Sequence, residues 1–303
     1  MTVRLDGRVA LITGAGAGLG KAYALLFSQL GAKIVVNDLG SSLNGDGQNS
    51  SAADLVVEEI RAAGGEAVAN YDSVTDAEGA ARMVQTAIDS FGRIDIVVNN
   101  AGIIRDTSFA KMTADDFAAV MNVHVLGAFN VTHAAWPHML AQEYGRIIFT
   151  TSGSGHNGSF GQANYGAAKM ALVGMMNNLA YEGARKNVLV NAISPAAVTR
   201  MNENIPIGDL GNFMKIDSVP PAAAWLASED CKETATILVA LAGHYAKVQY
   251  VKSEGVLFDA REPITVDMIA ENRDKIVSLD GAKPVKPNPL GDITDRLKGA
   301  GYL

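Results

Sequence analysis

The chain has 303 residues, 48% hydrophobic and 19% charged, enough material for a large core and too apolar for disorder along its length. Its 25 basic and 32 acidic residues give a net charge of -7 and a pI near 5.3, the wrong sign for a protein built to hold nucleic acid. The single Cys231 excludes an intrachain disulfide. The start Met1-Thr2-Val3-Arg4-Leu5-Asp6 lacks the apolar run of a signal peptide, and no stretch reaches the ~18 apolar residues of a membrane span, so a cytoplasmic protein is expected.

Short β-branched runs alternate with segments of helical period along most of the chain. This rhythm predicts an α/β fold, a Rossmann-like doubly wound parallel sheet of about seven strands with helices on both faces. The strands are expected near Val9 to Thr13, Lys33 to Asn37, Glu66 to Asn70, Ile94 to Asn99, Gly145 to Thr151, Val188 to Ile193 and Ile237 to Ala240. The first and fourth are almost wholly apolar, as strands buried on both faces are. Residues 1–250 read as one domain. Residues 251–303, too polar to form a core alone and including the Pro-rich Lys283-Pro284-Val285-Lys286-Pro287-Asn288-Pro289, read as an extension packed on the domain or on a partner subunit.

Directly after the first strand come Gly14, Gly16, Gly18, Leu19 and Gly20, and then a helical run. Glycines in that context let backbone approach a pyrophosphate whose charge meets free N–H groups at a helix N-terminus. They also account for part of a glycine count of 31, above the usual ~7%. Asp38 ends the second strand, where an acid can accept hydrogen bonds from both ribose hydroxyls of an adenosine and repel a 2'-phosphate. No neighbouring cation offsets it, so the expected cofactor is NAD. Leu39 to Ser50 reads as an irregular loop at the ligand end. Asp72 is either a helix cap or a partner for the adenine amino group.

Ser152 follows the fifth strand at the carboxyl end of the sheet, where open parallel sheets bind ligands. Tyr165 and Lys169 stand at i and i+4 of an Ala-rich helix and share one face. Lowering a tyrosine pKa from about 10 to about 7 takes roughly 4 kcal/mol. One ammonium about 4 Å away supplies about that much at an effective dielectric near 20.

In this order, Thr13-Gly14-Ala15-Gly16-Ala17-Gly18-Leu19-Gly20, Asn99-Asn100-Ala101-Gly102, Asn122, Ser152 and Tyr165-x-x-x-Lys169 resemble the short-chain dehydrogenase/reductase family over positions 13 to 200. The resemblance implies that Ser152 polarises the substrate oxygen, Tyr165 exchanges its proton, Lys169 lowers the Tyr165 pKa and holds the nicotinamide ribose, and Asn122 anchors a proton-relay water. It also implies that Asn100, Ala101 and Gly102 line the adenosine ribose and that Asp72 and Ser73 read the adenine. The family's Pro-Gly after the sixth strand is Pro195-Ala196 here. The nicotinamide amide contact is therefore expected from the Val198 backbone first and Thr199 second.

Further stretches, among them Ala67-Val68-Ala69-Asn70-Tyr71-Asp72-Ser73-Val74, Phe160-Gly161-Gln162-Ala163-Asn164-Tyr165 and Val239-Ala240-Leu241-Ala242-Gly243, resemble the (3R)-hydroxyacyl-CoA dehydrogenase branch. That resemblance implies NAD-dependent oxidation of a 3-hydroxyacyl-CoA carrying a fatty acyl or steroid side chain, by a homodimer or homotetramer. A free hydroxysteroid is the alternative substrate, and an inactive NAD-binding sensor is disfavoured because the catalytic set is present. Thr199 to Ser218, apolar without a clean period, reads as a lid over the acyl group or as a plain surface loop.

Overall fold

The computed structural model describes residues 3–40, 51–198, 208–285 and 289–303. Two compact units divide at Lys247 and Val248.

The first unit opens with β1 (Val9–Thr13), α1 (Gly18–Gln29), β2 (Lys33–Asn37), α2 (Ser51–Ala62), β3 (Ala67–Asn70), α3 (Ala77–Phe91) and β4 (Ile96–Asn99). It continues with α4 (Ala114–Met121), a π turn (Asn122–Leu126), α5 (Gly127–Ala141), β5 (Gly145–Thr150), α6 (Gly153–His156) and α7 (Ala163–Gly183). It closes with β6 (Val188–Ala196), α8 (Pro220–Ala227), β7 (Ile237–Leu241) and β8 (His244–Val248). The strand order is β3-β2-β1-β4-β5-β6-β7-β8, with every pair from β3 to β7 parallel. The order reverses direction between β1 and β4, which opens a crevice at their carboxyl ends.

Strand residues alternate between two helical layers. Ala10, Ile12, Ile34, Val36, Ile96, Val98 and Ile148 pack with Tyr23 and Phe27 of α1, Val56 and Ile60 of α2, and Ala223 and Leu226 of α8. The opposite parity, including Val9, Leu11, Val35, Val97 and Ile147, is equally buried, and α3, α5 and α7 pack on β1, β4 and β5. Both faces are covered, which explains why these strands are apolar without alternation.

The eighth strand goes beyond the seven that the sequence suggests. Ala242 (φ 49°) and Gly243 (φ 78°) turn the chain in two left-handed residues, the geometry of a tight hairpin. β8 is a half-exposed edge strand, His-Tyr-Ala-Lys-Val, so it lacks an apolar signature.

The second unit holds β9 (Val251–Lys252), α9 (Val266–Glu271), α10 (Arg273–Val277), β10 (Lys283–Pro284) and α11 (Pro289–Gly299). Its two short strands pair antiparallel, the Ser253 hydroxyl donates to the Ile276 carbonyl at 2.8 Å, and Arg261 lies 4.8 Å from the Tyr302 ring centroid.

Candidate active site

The glycine turn is built on backbone. Gly14 takes φ +63° and Gly18 φ +55°, a region that favours glycine. A Cβ on Gly20 would stand 2.2 Å from the Gly14 carbonyl oxygen, and one on Gly16 would stand 2.8 Å from the Asp38 carboxylate. The α1 N-terminus has no side-chain cap and no acid in its first turn, so its N–H groups remain available to an anion. Asp38 faces the turn: its two oxygens accept from Gly16 N and Gly40 N, each at 2.7 Å. This cradle fits the pyrophosphate and ribose of a dinucleotide.

Asn100 fastens that cradle to the next strand. Its side-chain amide donates to the Thr13 carbonyl at 3.0 Å and to the Gly14 carbonyl at 3.1 Å. The Thr13 hydroxyl in turn accepts from Asn100 N at 3.0 Å and Ala101 N at 3.1 Å. Thr13, which opens the glycine motif, thus joins the ends of β1 and β4 across the switch point.

Asp72 lies just past β3 and is gripped by Arg82, whose Nε and Nη2 donate to one carboxylate oxygen at 2.8 and 2.6 Å. The helix cap that the sequence left open belongs to Asp76, whose carboxylate accepts from Glu78 N and Gly79 N. The Ser73 hydroxyl accepts from Thr75 N at 3.3 Å.

At the carboxyl end of β5, the Ser152 side chain accepts from Ser154 N at 3.2 Å and caps α6. Its hydroxyl, facing Tyr165, favours the phenolate, but burial dominates and pushes the Tyr165 phenol up to about 12, with the charge of Asp106 adding to the rise. Lys169 lies one turn along α7, its Nζ 5.2 Å from the Tyr165 ring centroid. It donates to the Thr150 carbonyl at 2.7 Å, and burial pulls its ammonium down to about 7. The start of α7 is pinned by the buried Asn164, which donates to the Arg105 carbonyl at 3.0 Å and accepts from Tyr165 N at 2.7 Å.

Asn122 does not join this group. It is exposed and lines a separate cavity of about 410 Å³ with Thr75, Ile103, Arg105, Val123 and Leu126. The side chain that reaches Tyr165 is His124, which is buried, with ring centroids 5.3 Å apart edge to face. Burial and the charge of Lys169 hold its pKa well below the usual histidine value. Gly102 makes room for it: a Cβ there would stand 2.2 Å from His124 Cε1. A polar residue between Val123 and Val125 on an apolar helix was the available signal for His124.

At the end of β6, Pro195 lies in the strand, and the Val198 N–H donates to the Met214 carbonyl at 2.8 Å. That amide is engaged, which leaves the Val198 carbonyl as its backbone group for a cofactor contact. Thr199, most of the loop Leu39 to Ser50 and the first half of the expected lid lie outside the described residues. In the second half of the lid segment Met214 is buried, whereas Leu210 and Phe213 are exposed.

Residues 8–208 match the family model for short chain dehydrogenases. The chain is 47% identical over 293 residues to mouse peroxisomal multifunctional enzyme type 2, a match covering 96% of this chain and 39% of that protein. The solved full-length peroxisomal multifunctional enzyme type 2 from Drosophila melanogaster superposes with a TM-score of 0.81 at 39% identity, over 98% of this chain and 50% of that one. A 7α-hydroxysteroid dehydrogenase complexed with NADH and 7-oxo glycochenodeoxycholic acid superposes with a TM-score of 0.72 at 30% identity, over 79% of this chain and 95% of that one. The chain thus spans half or less of the two multifunctional enzymes and nearly all of the single-function one. The turn, the switch-point crevice and the Ser152, Tyr165 and Lys169 cluster lie in or beside the matched region, and the chain belongs to the short-chain dehydrogenase family.

Proposed function

We propose that the protein oxidises the hydroxyl of a 3-hydroxyacyl-CoA, in the 3R configuration, to the 3-oxoacyl-CoA with NAD. One observation carries the chemistry: Ser152, Tyr165 and Lys169 converge at the carboxyl rim of the sheet, beside a cradle shaped for a dinucleotide. When bound, the nicotinamide supplies the hydride acceptor. Ser152 holds the substrate oxygen, and Tyr165 takes the hydroxyl proton as the C–O bond gains its second pair. Lys169 favours the phenolate by its charge. Asp38 supports NAD over NADP, because a carboxylate that already faces Gly16 repels a 2'-phosphate.

The acyl-CoA assignment rests on similarity to multifunctional enzyme type 2 along nearly the whole chain. A free hydroxysteroid is the second reading, favoured by the likeness to the 7α-hydroxysteroid dehydrogenase. Exposed Phe117, Leu126 and Phe129 on α4, the π turn and α5 support self-association through that face. NADH formation is the test, measured with 3R- and 3S-hydroxyacyl-CoAs of several chain lengths and with steroid alcohols. The proposal expects the highest kcat/KM for a 3R acyl-CoA. A dominant steroid preference, or no turnover of any acyl-CoA by protein that binds NAD, overturns it.

A further inference from the structure

Two of the buried polar atoms that lack a partner among the described residues, on Asn99 and His124, belong to side chains lining one small cavity beside Lys169. The cavity, about 10 Å³, is lined by Thr13, Val74, Asn99, Val123, His124 and Lys169 among others, and is at the lower limit of room for one water molecule. Asn99 is 5% exposed and His124 2%. Asn99 donates its side-chain amide to the Thr132 hydroxyl at 3.0 Å, and its Oδ1 has no partner among the described residues.

His124 Nε2 lies 2.8 Å from the Ile103 carbonyl oxygen and 3.2 Å from Ile103 N, while Nδ1 has no partner among the described residues. The shorter contact calls for a proton on Nε2. The positive charge of Lys169 favours the same tautomer, because a bare Nδ1 lone pair is attracted to an ammonium and an N–H is repelled. Lys169 uses one of its three N–H groups, on Thr150. Two buried acceptors and one buried donor with protons to spare thus border a water-sized space. A water has two hydrogens for the acceptors and a lone pair for the donor, and three partners is the usual number for a buried water.

We propose that His124 and Asn99 hold a single buried water against Lys169, and that this neutral clamp, rather than Asn122, keeps the Lys169 ammonium charged and aimed at Tyr165. His124 is then a positioning residue. It acts through the water and Lys169 and exchanges no proton itself, because its Nε2 proton has only a carbonyl to go to. The charged and titratable groups acting on this cluster are His124 on the π turn, Tyr165 and Lys169 on α7, and Asp106 on the loop after β4. Removing the water lowers the Lys169 pKa further, since the ammonium loses solvation. The phenolate then has less charge to stabilise it, and the rising limb of the oxidation pH profile moves to higher pH.

The inference rests on the catalytic reading above, and three variants measured with saturating NAD test it. His124→Asn places an acceptor where Nδ1 stood, His124→Gln reaches only toward the Nε2 position, and His124→Phe keeps the ring and no nitrogen. The rising limb of log kcat/KM is expected to move up by about one pH unit in the Gln and Phe variants, about tenfold in rate at a fixed pH on that limb, and to return toward wild type in the Asn variant. Equal limb positions in all three overturn the proposal. Nitrogen-15 histidine spectra of the intact wild-type protein provide a readout independent of substrate and of variant folding. His124 is expected as the Nε2–H tautomer with no titration between pH 5 and 9; an Nδ1–H tautomer or a titration in that range overturns the clamp, whether or not an acyl-CoA is turned over.

Discussion

At the residue scale the two groups at the centre of the site resist the charges they must carry. Burial holds the Tyr165 phenol up at about 12 and draws the Lys169 ammonium down to about 7. A phenolate beside an ammonium is therefore a poor resting state, and the pair becomes favourable when positive charge and ribose hydroxyls are added around it. Tyr165→Phe removes the proton acceptor and nothing that grips the dinucleotide cradle. Its kcat is expected to fall by about 10²-fold or more while the NAD dissociation constant, measured by fluorescence titration, stays within about threefold. Asn122→Ala, on an exposed side chain lining a different cavity, is expected to change kcat/KM by no more than about twofold. A loss comparable to that of Tyr165→Phe would return Asn122 to the site.

The element scale explains why the family resemblance names Asn122 while the side chain that reaches Tyr165 is His124, two residues on. β1, β2 and β4 are apolar runs closed by Thr13, Asn37 and Asn99, and period alone places them within a residue or two. The glycine turn and the Tyr165 to Lys169 spacing are local, so they too can be read directly. Residues 114–141 run as one helical path interrupted by the five-residue π turn, and that extra residue per turn shifts which side chain faces α7. A 3.6-residue period cannot anticipate such a shift. The hairpin into β8 was hidden for a different reason: Ala242 occupies a left-handed position usually filled by Asn or Asp. Asn100 tests how far the cradle depends on its fastening. Asn100→Ala removes the donor to two carbonyls at the end of β1, with an expected cost of about 1–2 kcal/mol in stability and about tenfold in NAD affinity. Urea melts and NAD titration check the two effects, and an unchanged affinity would mean the turn holds its shape without β4.

At the scale of the whole first unit the two rims of the sheet divide the work. Opposite the site, the buried Asp95 accepts from Arg8 Nη1 at 3.1 Å, Arg93 Nη2 at 2.6 Å and Val9 N at 3.0 Å, and the guanidinium groups of Arg8 and Arg146 lie 3.6 and 4.3 Å from the centroid of the Tyr144 ring. Asp95→Asn takes the buried carboxylate away from Arg8, which keeps Glu229, and from the partly exposed Arg93. A loss of about 1–3 kcal/mol is expected in urea melts, with kcat and KM unchanged at temperatures where the variant is folded.

At the catalytic rim the opposite holds, because Lys169 costs stability. Its folded pKa of about 7 lies below the ordinary lysine value of 10.5, so the unfolded chain binds more protons between those values and this group's contribution to stability rises with pH across that window. Lys169→Met removes the penalty but leaves the Thr150 carbonyl without its donor, a loss of about 1–3 kcal/mol. In the absence of cofactor the variant is expected to be more stable than wild type by on the order of 1–3 kcal/mol at pH 7. The difference should shrink through pH 8 and 9 and reverse sign near pH 10, where the lost hydrogen bond is all that remains. Urea denaturation at those pH values measures it. A difference that stays constant with pH would mean that the Lys169 ammonium titrates at its ordinary value in the folded protein, and the burial that sets the chemistry of this rim would have to be redrawn.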